Sequence, residues 1–396
     1  MMRLFLNGLA ASAGGGLTYL RNVVPELSRQ AGVQTIIAAG PQLRRELGEL
    51  ANITLLEVEL PSGAFRRAWQ EQAMLPGVIR RSGADVLISA GNFALRRSPV
   101  PQILLSRNAL YTSADFYRDL RARGEYRMWM DTYLKGFLAK SSVKWADCTV
   151  APSHAFAEEL GRWTGREIRV IPHGFDPEAF FCDKTPLPAE IGHKFDIAAG
   201  SLRLLFVSHY NYYRNFEALL RALPILQQRM SGREVKLFLT CTLEPGANPG
   251  AYRTEAAAAL VRDLGITDRV VQLGGIPYPL LHQVYGACDL YVTPAYAETF
   301  AHPLVEAMAS GLPVIASDLA VHREICGDAA LYFAAFSSAE LARRIIEAEN
   351  EEVRKRKSAA GRKRAAEFSW KRSVEALVGL ARELADRCRQ PGGANP

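Results

Sequence analysis

Residues 290–317 read LYVTPAYAETFAHPLVEAMASGLPVIAS. Two short apolar runs, LYVT and PVIAS, flank a segment whose apolar residues recur at helical spacing. Pro303 suits the first turn of a helix because its missing N–H costs nothing there, while Gly311 and Pro313 end the helix. The segment therefore predicts a strand, a helix and a second strand, which is the repeating unit of a parallel sheet.

The same alternation runs through most of the 396 residues. Predicted strands of the first half are RLFLNG, TIIAAG, ITLLEVEL, DVLISAG, PQILLS and CTVAPS. Those of the second half are LRLLFVS, EVKLFLT, RVVQLGG, LYVTPA, PVIASD and ALYF. The pattern predicts α/β architecture with two Rossmann-like domains, at 1–178 and 201–370, a linker at 179–200, and a C-terminal helix at 371–396 that returns to the first domain.

Composition narrows the class of protein. A 48% hydrophobic and 22% charged chain is globular, and its net charge of +7 with a pI near 9.1 favours anionic partners such as phosphates, nucleic acid or anionic lipid. Its 6 cysteines form no CxxC, and no histidine cluster has metal-ligand spacing. No run approaches the ~18 apolar residues of a spanning helix. These features predict a cytoplasmic protein that lies at most on a membrane surface.

Three glycines follow the first predicted strand. Gly14, Gly15 and Gly16 come just before a helix, where glycine lets the backbone approach a bulky anion and free N–H groups attract it. Their spacing is neither GxGxxG nor GxxxxGK[ST], which counts against dinucleotide and P-loop sites. A glycine-rich turn without a ligand remains the alternative.

Polar residues also follow two strands of the second half. His209 and Arg214 come after LRLLFVS, and the planar fork of arginine suits phosphate oxygens, although a solvated charge is the alternative. Glu298 precedes the helix of the opening segment, and Glu306 lies about one turn into it. Carboxylates accept strong hydrogen bonds from hydroxyl groups, so the pair could bind a ligand with two sets of hydroxyls.

The segment PAYAETFAHPLVEAMASGLPVIASD, residues 294–318, resembles the hallmark of retaining glycosyltransferases of the GT-B fold, specifically glycosyltransferase family 4. There, two glutamates separated by seven residues are followed by EAMAxGxPVIAS. The glycine loop, IPHGFD, the Arg214 loop, VVQLGG and the terminal FSW occur in the family's order. The resemblance implies two domains facing across a cleft, with the acceptor on the first and a nucleotide-sugar donor on the second.

The resemblance also implies roles for individual residues. Glu298 would hold the transferred sugar, Glu306 the ribose, and Arg214 the diphosphate. The remaining donor contacts would come from the backbone or from small residues, namely Gly14, Gly15 and Gly16 over the diphosphate, Phe300 and Ala301 at the phosphate and sugar, and Gly275 and Ile276 at the nucleobase.

The chain departs from the family's pattern at four places. His209 stands where the family has a second fixed charge, and we include it among the catalytic candidates. Ala301 replaces a usual glycine, which is a small change in sequence. On the acceptor side, Arg107 and Asn108 stand where His-Asp is frequent, and His173 stands where asparagine is common.

The chain contains no Asp-x-Asp, the motif that usually bridges a metal and a diphosphate, so we expect a metal-independent reaction without a cofactor. Front-side attack, in which the leaving phosphate takes the acceptor's proton, would retain the anomeric configuration. Residues 116–146 interleave seven basic residues with aromatics, which fits contact with anionic lipid as well as it fits a solvated helix.

The predicted function is therefore transfer of a hexose to a glycan or lipid-linked acceptor, in bacterial surface polysaccharide or glycolipid synthesis, without a nucleic-acid partner. Two alternatives stay open. One is a sugar-nucleotide epimerase or phosphorylase on the same fold, since fold does not fix function. The other is a partner subunit that keeps the fold but has no turnover.

Overall fold

The computed structural model describes residues 1–10, 14–58, 64–230, 232–246 and 252–389, without the side chains of 14–15, 41–42 and 64–68. The chain divides into two compact units. The first unit comprises Met1–Thr112, Glu125–Gly174 and Ser369–Pro396, and the second comprises Ser113–Gly124 and Phe175–Phe368.

A seven-stranded parallel sheet forms the first unit, in the order β3-β2-β1-β4-β5-β6-β7. Its strands are β1 Met2–Asn7, β2 Val33–Ala39, β3 Ile53–Glu57, β4 Val86–Ser89, β5 Gln102–Leu105, β6 Cys148–Ala151 and β7 Arg169–Val170. The sequence predicted the first six. It missed β7, which has only two residues and is not an apolar run.

A six-stranded parallel sheet forms the second unit, in the order β10-β9-β8-β11-β12-β13. Its strands are β8 Leu202–Phe206, β9 Val235–Leu239, β10 Val270–Gln272, β11 Leu290–Thr293, β12 Val314–Ser317 and β13 Ala330–Phe333. All six coincide with predicted strands. Two parallel sheets with connecting helices confirm the predicted α/β class.

Helices connect most of these strands. They are α1 Gly14–Ser28, α2 Pro41–Leu47, α3 Ala64–Ser82, α4 Ala114–Ala122, α5 Tyr126–Trp145, α6 His154–Thr164, α7 Pro177–Phe181, α8 Ala189–Ile197, α9 Phe216–Arg229, α10 Glu255–Asp263, α11 Leu281–Gly286, α12 His302–Ala309, α13 Ala320–Cys326, α14 Ser338–Glu347, α15 Glu351–Ala365 and α16 Trp370–Arg389. None of the described helices is both long enough and apolar enough to cross a bilayer.

The segment 179–200, expected as a linker, contains a helix that packs within the second unit. Ile191 and Phe195 of α8 are buried, and the Phe195 ring stacks on Phe238 of β9 with centroids 4.6 Å apart. Nine residues after Pro188 are too few to give a clear helical period in sequence. Helix α4, from the first half of the chain, also belongs to the second unit.

The C-terminal helix α16 supplies part of the first unit's core. Its buried residues Trp370, Val374 and Leu377 join one apolar cluster with α1 and the strands. The approach is closest at Gly174, in the IPHGFD motif, where an added Cβ would lie 2.0 Å from the Trp370 nitrogen. Only glycine fits there, since neither backbone can give way.

Candidate functional site

The candidate site lies where the strand order of the second sheet reverses. From β8 the strand order runs through β9 to β10 at one edge of the sheet, and from the adjacent β11 it runs through β12 to β13 at the other edge. Ligands of open α/β sheets bind outside the carboxyl ends of the strands at such a switch point. The loops after β8 and β11 carry Arg214 and Glu298, so the structure brings these two predicted residues to the expected position.

Asn215 ties the two loops together. It adopts a left-handed conformation, with φ 56° and ψ 45°, which asparagine tolerates better than most residues. Its Nδ2 donates to the carbonyl of Pro294 at 3.1 Å and to that of Ala335 at 2.7 Å. The backbone N–H of Tyr296 also donates to the carbonyl of Tyr213 at 2.9 Å. Both neighbours of Arg214, Tyr213 and Asn215, are therefore hydrogen-bonded to other loops, which fixes the backbone on either side of it.

Arg214 and Glu298 form an ion pair through Nη1 and Oε1. The arginine side chain is 20% exposed and the glutamate side chain 9% exposed, so the pair is largely desolvated. The Nε of Arg214 is buried and makes no hydrogen bond with the described residues. Because a guanidinium has five N–H donors, the ion pair leaves donors for a ligand oxyanion.

His209 lies on the same loop and is exposed. Its carbonyl accepts hydrogen bonds from the Ser208 hydroxyl at 2.7 Å and from Asn211 Nδ2 at 3.3 Å. Within the described parts of the chain, its imidazole forms no hydrogen bond or ion pair. The structure thus places His209 on the Arg214 loop but outside the ion pair, and its catalytic role stays a prediction.

Glu306, on α12, is 5% exposed, and its carboxylate accepts a hydrogen bond from the phenol of Tyr285 at 2.9 Å. Burial raises the pKa of Glu306 from 4.5 to about 7, and hydrogen bonds from Tyr285 and Tyr278 oppose this rise. No lysine or arginine of the described residues pairs with it. A carboxylate held by two phenols is poised to accept further hydrogen bonds from hydroxyl groups.

Tyr278 connects Glu306 to the loop after β10. That loop carries Gly275 and Ile276, which the resemblance assigns to the nucleobase, and Tyr278 begins the short 3₁₀ helix after it. The Phe180 ring packs against both phenols, 5.4 Å from Tyr278 and 6.0 Å from Tyr285 between centroids. Sequence reasoning missed both tyrosines, because neither stands in a motif or directly after a strand.

Ala301 carries backbone strain at the start of α12. It adopts φ 64° and ψ 69°, a left-handed conformation that costs a residue with a Cβ about 1–2 kcal/mol. The sequence interpretation of this residue as a small change from glycine is therefore wrong in energetic terms. The preceding Phe300 is buried and packs edge-on against Phe368 at 5.4 Å, which fixes the backbone at this point.

His322, on α13, was not predicted. It is fully buried, and its Nδ1 lies 3.0 Å from the carbonyl oxygen and 3.1 Å from the hydroxyl of Ser317, at the end of β12. The pKa of His322 is lowered to about 4, chiefly by burial and also by the charge of Arg214, while the hydrogen bond with the Ser317 carbonyl opposes this fall. Its Nε2 is buried without a hydrogen-bond partner among the described residues. The imidazole is therefore neutral near Arg214.

The predicted acceptor-side residues all lie in the first unit, but they are used differently. Asn108 accepts a hydrogen bond from the Leu110 N–H at 3.0 Å and so caps a short 3₁₀ helix. His173 is buried between the rings of Tyr19 and Trp370, at centroid distances of 5.0 and 5.6 Å. Arg107 reaches the carbonyl of Ala90, just beyond β4.

Gly14, Gly15 and Gly16 form the first turn of α1 rather than a loop before it. Residues 11–13, which precede them in the predicted glycine-rich loop, lie outside the described residues. The glycines belong to the first unit, and their predicted approach to a diphosphate stays a prediction.

Two family models match the chain in succession. Residues 13–179 match the family described as Glycosyltransferase Family 4, and residues 190–365 match glycosyl transferases group 1. Together the two models account for most of both units.

Named relatives match over shorter stretches. A D-inositol 3-phosphate glycosyltransferase of Nocardia farcinica is 32% identical over 184 residues, which are 46% of this chain and 39% of that protein. One of Stackebrandtia nassauensis is 28% identical over 249 residues, 61% of this chain and 55% of that protein. The chain thus spans only about two fifths to just over half of the length of these relatives.

Solved structures resemble the chain over nearly its whole length. Sucrose-phosphate synthase from Thermosynechococcus elongatus has a TM-score of 0.77 at 19% identity, covering 97% of this chain and 99% of that one. Anabaena HepE in complex with UDP-glucose has a TM-score of 0.73 at 18% identity, covering 97% of this chain and 100% of that one. The likeness shows a shared GT-B fold.

Proposed function

Because the chain belongs to the glycosyltransferases of family 4 and group 1, we propose that it transfers a hexose from a nucleotide sugar to a hydroxyl acceptor, with retention of anomeric configuration and without a metal. The observation that carries this proposal is the Arg214–Glu298 ion pair between the loops that follow β8 and β11, at the switch point of the second sheet. Glu306 is buried on α12, the helix that follows the second of these loops.

In the proposed reaction, Arg214 binds the diphosphate. As the bond between the anomeric carbon and the phosphate oxygen breaks, negative charge grows on the leaving nucleoside diphosphate, and a preorganised guanidinium stabilises it more than it stabilises the donor. The acceptor oxygen forms the new bond to the anomeric carbon on the same face. Its proton passes to the leaving phosphate, so the reaction needs no separate base.

The two glutamates bind hydroxyl groups of the donor in this proposal. Glu298 orients the transferred sugar, and its carboxylate pairs with Arg214 beside the diphosphate site. Glu306, with its pKa near 7, accepts hydrogen bonds from the ribose, which favour its ionised form. HepE is solved with UDP-glucose, which supports UDP-glucose as the first donor to test.

Helix α5 supports an acceptor at a membrane. Its small residues, such as Gly136 and Ala139, face inward, whereas six of its large apolar residues are 47–68% exposed. These exposed residues follow helical spacing along one side, namely Tyr126, Met130, Tyr133, Leu134, Phe137 and Leu138. Arg127 and Lys144 on the same helix are exposed as well. An apolar stripe with basic residues suits an anionic membrane surface.

We therefore place the acceptor in glycan or glycolipid synthesis at the inner face of the plasma membrane. Sedimentation with vesicles tests this part. Wild type should pellet with phosphatidylglycerol vesicles and much less with phosphatidylcholine vesicles. Leu134→Glu with Phe137→Glu should remain in the supernatant, while Trp69→Glu, an equally exposed aromatic on α3, should behave as wild type. Equal vesicle binding by all three proteins would contradict the proposal that α5 contacts a membrane. Concentration-dependent dimerisation through α5 would instead indicate that its apolar stripe is an interface between two copies of the protein.

Proton NMR of nucleotide-sugar turnover tests the transfer itself. Incubated with UDP-glucose, or with the GDP, ADP or dTDP analogue, wild type should release glucose whose first-formed anomer is that of the donor, unaffected by EDTA. Arg214→Met combined with Glu298→Gln removes both charges together, so that neither is left buried alone, and should abolish turnover.

The other outcomes separate the alternatives. A changed sugar still attached to the nucleotide would indicate an epimerase, and sugar 1-phosphate formed only with added phosphate would indicate a phosphorylase. Nucleotide binding without turnover of any donor would indicate a partner subunit. Release of the opposite anomer, or loss of turnover with EDTA, would overturn retention or metal independence respectively.

A further inference from the structure

His322 is a buried histidine that leaves one ring nitrogen without a hydrogen-bond partner among the described residues. Its Nδ1 lies 3.0 Å from the Ser317 carbonyl oxygen, and because a carbonyl only accepts hydrogen bonds, Nδ1 must carry the ring proton. In the neutral ring the unpartnered Nε2 is then an acceptor. An apolar side chain would fill this place without burying an unsatisfied nitrogen, so stability alone does not explain the histidine.

The Ser317 hydroxyl links His322 to the loop that carries Glu298. Ser317 is the last residue of β12, and its Oγ lies 3.1 Å from His322 Nδ1. The same hydroxyl donates to the carbonyl of Ala295, in the loop after the neighbouring strand β11. Since its proton goes to Ala295, the hydroxyl oxygen accepts from Nδ1. The hydrogen bonds therefore run in one direction, from His322 through Ser317 to Ala295, three residues before Glu298.

Three consecutive residues of the Glu298 loop are hydrogen-bonded to neighbouring segments. The Pro294 carbonyl and the Tyr296 N–H are both bonded to the loop after β8. Ala295, which lies between them, is bonded to Ser317. The loop is thus held from two sides, and His322 lies at the far end of the second link. Reactive geometry depends on such supporting hydrogen bonds around the groups that contact the substrate.

We propose that His322 is a positioning residue, which acts through Ser317 to set where Glu298 meets the transferred sugar. The hydrogen-bonded link rests on the geometry of the second unit, and its consequence for the sugar rests on the proposed function. Productive geometry tolerates displacements of only about 0.5 Å, so a small shift of this loop should slow transfer more than it weakens nucleotide binding. The neutral imidazole also holds the loop without adding a second cation near Arg214.

Steady-state kinetics with UDP-glucose, or with whichever of the GDP, ADP and dTDP analogues is turned over, tests the consequence for transfer. His322→Leu removes both nitrogens and should lower kcat by roughly tenfold or more, while KM for the donor changes less than about threefold. His322→Asn should recover most of the loss, because its amide nitrogen lies as many bonds from Cβ as Nδ1 does and can donate to Ser317. His322→Gln places its nitrogen one bond further out, as Nε2 is, and should recover little.

Ser317→Ala tests the same link from its middle. It removes the hydroxyl between His322 and Ala295, so it should lower kcat as His322→Leu does. The double variant should lose no more than either single variant, because both substitutions break one link.

Tyr332→Phe is the matched control. The Tyr332 hydroxyl lies 3.4 Å from the His322 carbonyl oxygen and 2.6 Å from that of Gly327, so its removal loosens α13 but leaves the bonds of the imidazole in place. This variant should have a lower melting temperature and an unchanged kcat.

Hydrogen exchange tests the link without any turnover. The Tyr296 N–H is buried and hydrogen-bonded, so the peptide 294–300 should contain a slowly exchanging amide in wild type. Its exchange should be about fivefold to tenfold faster in His322→Leu and Ser317→Ala, as expected for the loss of one hydrogen bond. It should stay as slow as in wild type in His322→Asn and Tyr332→Phe.

Unchanged exchange of this peptide in both His322→Leu and Ser317→Ala overturns the inference, whatever the kinetics show. An unchanged kcat in both variants also overturns it, as does an equal loss of kcat in Tyr332→Phe. If His322→Leu does not fold, Ser317→Ala and His322→Gln carry both measurements. If wild type turns over no donor, the proposed function fails, while the exchange data still decide whether His322 holds the Glu298 loop.

Discussion

Glu306 is enclosed by the protein and bonded by phenols rather than by a cation, and this environment governs its protonation. Its folded pKa of about 7 lies above the usual 4.5, so the folded state keeps the proton after the unfolded state has lost it. Stability is therefore unaffected below about pH 4.5, falls as pH rises towards 7, and levels off above it.

Replacing Glu306 with glutamine should remove this pH dependence. Urea unfolding of wild type should lose roughly 3 kcal/mol between pH 4.5 and 8 beyond what Glu306→Gln loses, as expected for a shift of that size. The amide still offers an oxygen to the Tyr285 hydroxyl, so the packing is retained. Parallel pH profiles of the two proteins would contradict the assignment of the raised pKa to Glu306.

Ala301 offers a second test at the residue scale. Because glycine adopts a left-handed conformation without strain, Ala301→Gly should stabilise the second unit by about 0.5–1 kcal/mol, although glycine makes the unfolded chain more flexible. Ala297→Gly, in the same loop without a positive φ, should instead destabilise the unit. Urea midpoints measure both. A lower midpoint for Ala301→Gly would contradict the strain.

Individual residues also show which parts of the candidate site could be identified from the sequence and which could not. Glu298 and Glu306 could be singled out as candidates because they stand in one dense sequence motif, the first before α12 and the second within it. The sequence could not identify Tyr278, Tyr285 or His322, because each of them reaches the site only through the tertiary packing of separate segments. The strain at Ala301 was equally hidden, because backbone conformation at one residue does not follow from composition.

At the scale of elements, helix α4 stabilises the loops of the candidate site. Asp119 accepts a hydrogen bond from the Tyr296 hydroxyl at 2.7 Å, next to the Glu298 loop. Arg123 pairs with Asp119 at 2.8 Å and with Glu217 of α9 at 2.9 Å. Its guanidinium also lies 4.3 Å from the Tyr212 ring centroid, on the Arg214 loop. The helix thus contacts both loops that carry the ion pair.

Arg123→Met should destabilise the second unit by about 2 kcal/mol, because it leaves two carboxylates without their cation. The loss is below that of a fully buried pair, since 18–21% of these side chains is exposed. Arg123 directly follows the last residue of α4, and the control within that helix is Arg118→Met. This substitution should cost less than about 0.5 kcal/mol, because the Arg118 side chain is 75% exposed. Calorimetric melting compares them, and equal effects of the two substitutions would contradict the role of α4.

At the scale of the whole molecule, the alternation of apolar runs and amphipathic segments was enough to predict the α/β class and the strands of both sheets except β7. The pattern is strong because parallel strands are buried on both faces. The helix in the predicted linker, and the membership of α4 in the second unit, depend on packing between distant segments. Neither the linker helix nor the assignment of α4 to the second unit can be recognised from the spacing of apolar residues in the sequence.

The central claim is that the second unit binds a nucleotide-sugar donor through Arg214, Glu298 and Glu306. The most direct measurement is a thermal-shift panel of UDP, GDP, ADP, dTDP and CDP, with and without EDTA, on wild type, Glu306→Gln and the exposed control Glu234→Gln. A ligand at about 100 times its Kd stabilises by about 2.7 kcal/mol, which such a panel resolves. We predict that one nucleotide raises the melting temperature of wild type and Glu234→Gln, independently of EDTA, and that Glu306→Gln loses most of the shift. No shift with any nucleotide, or an undiminished shift in Glu306→Gln, would contradict the claim.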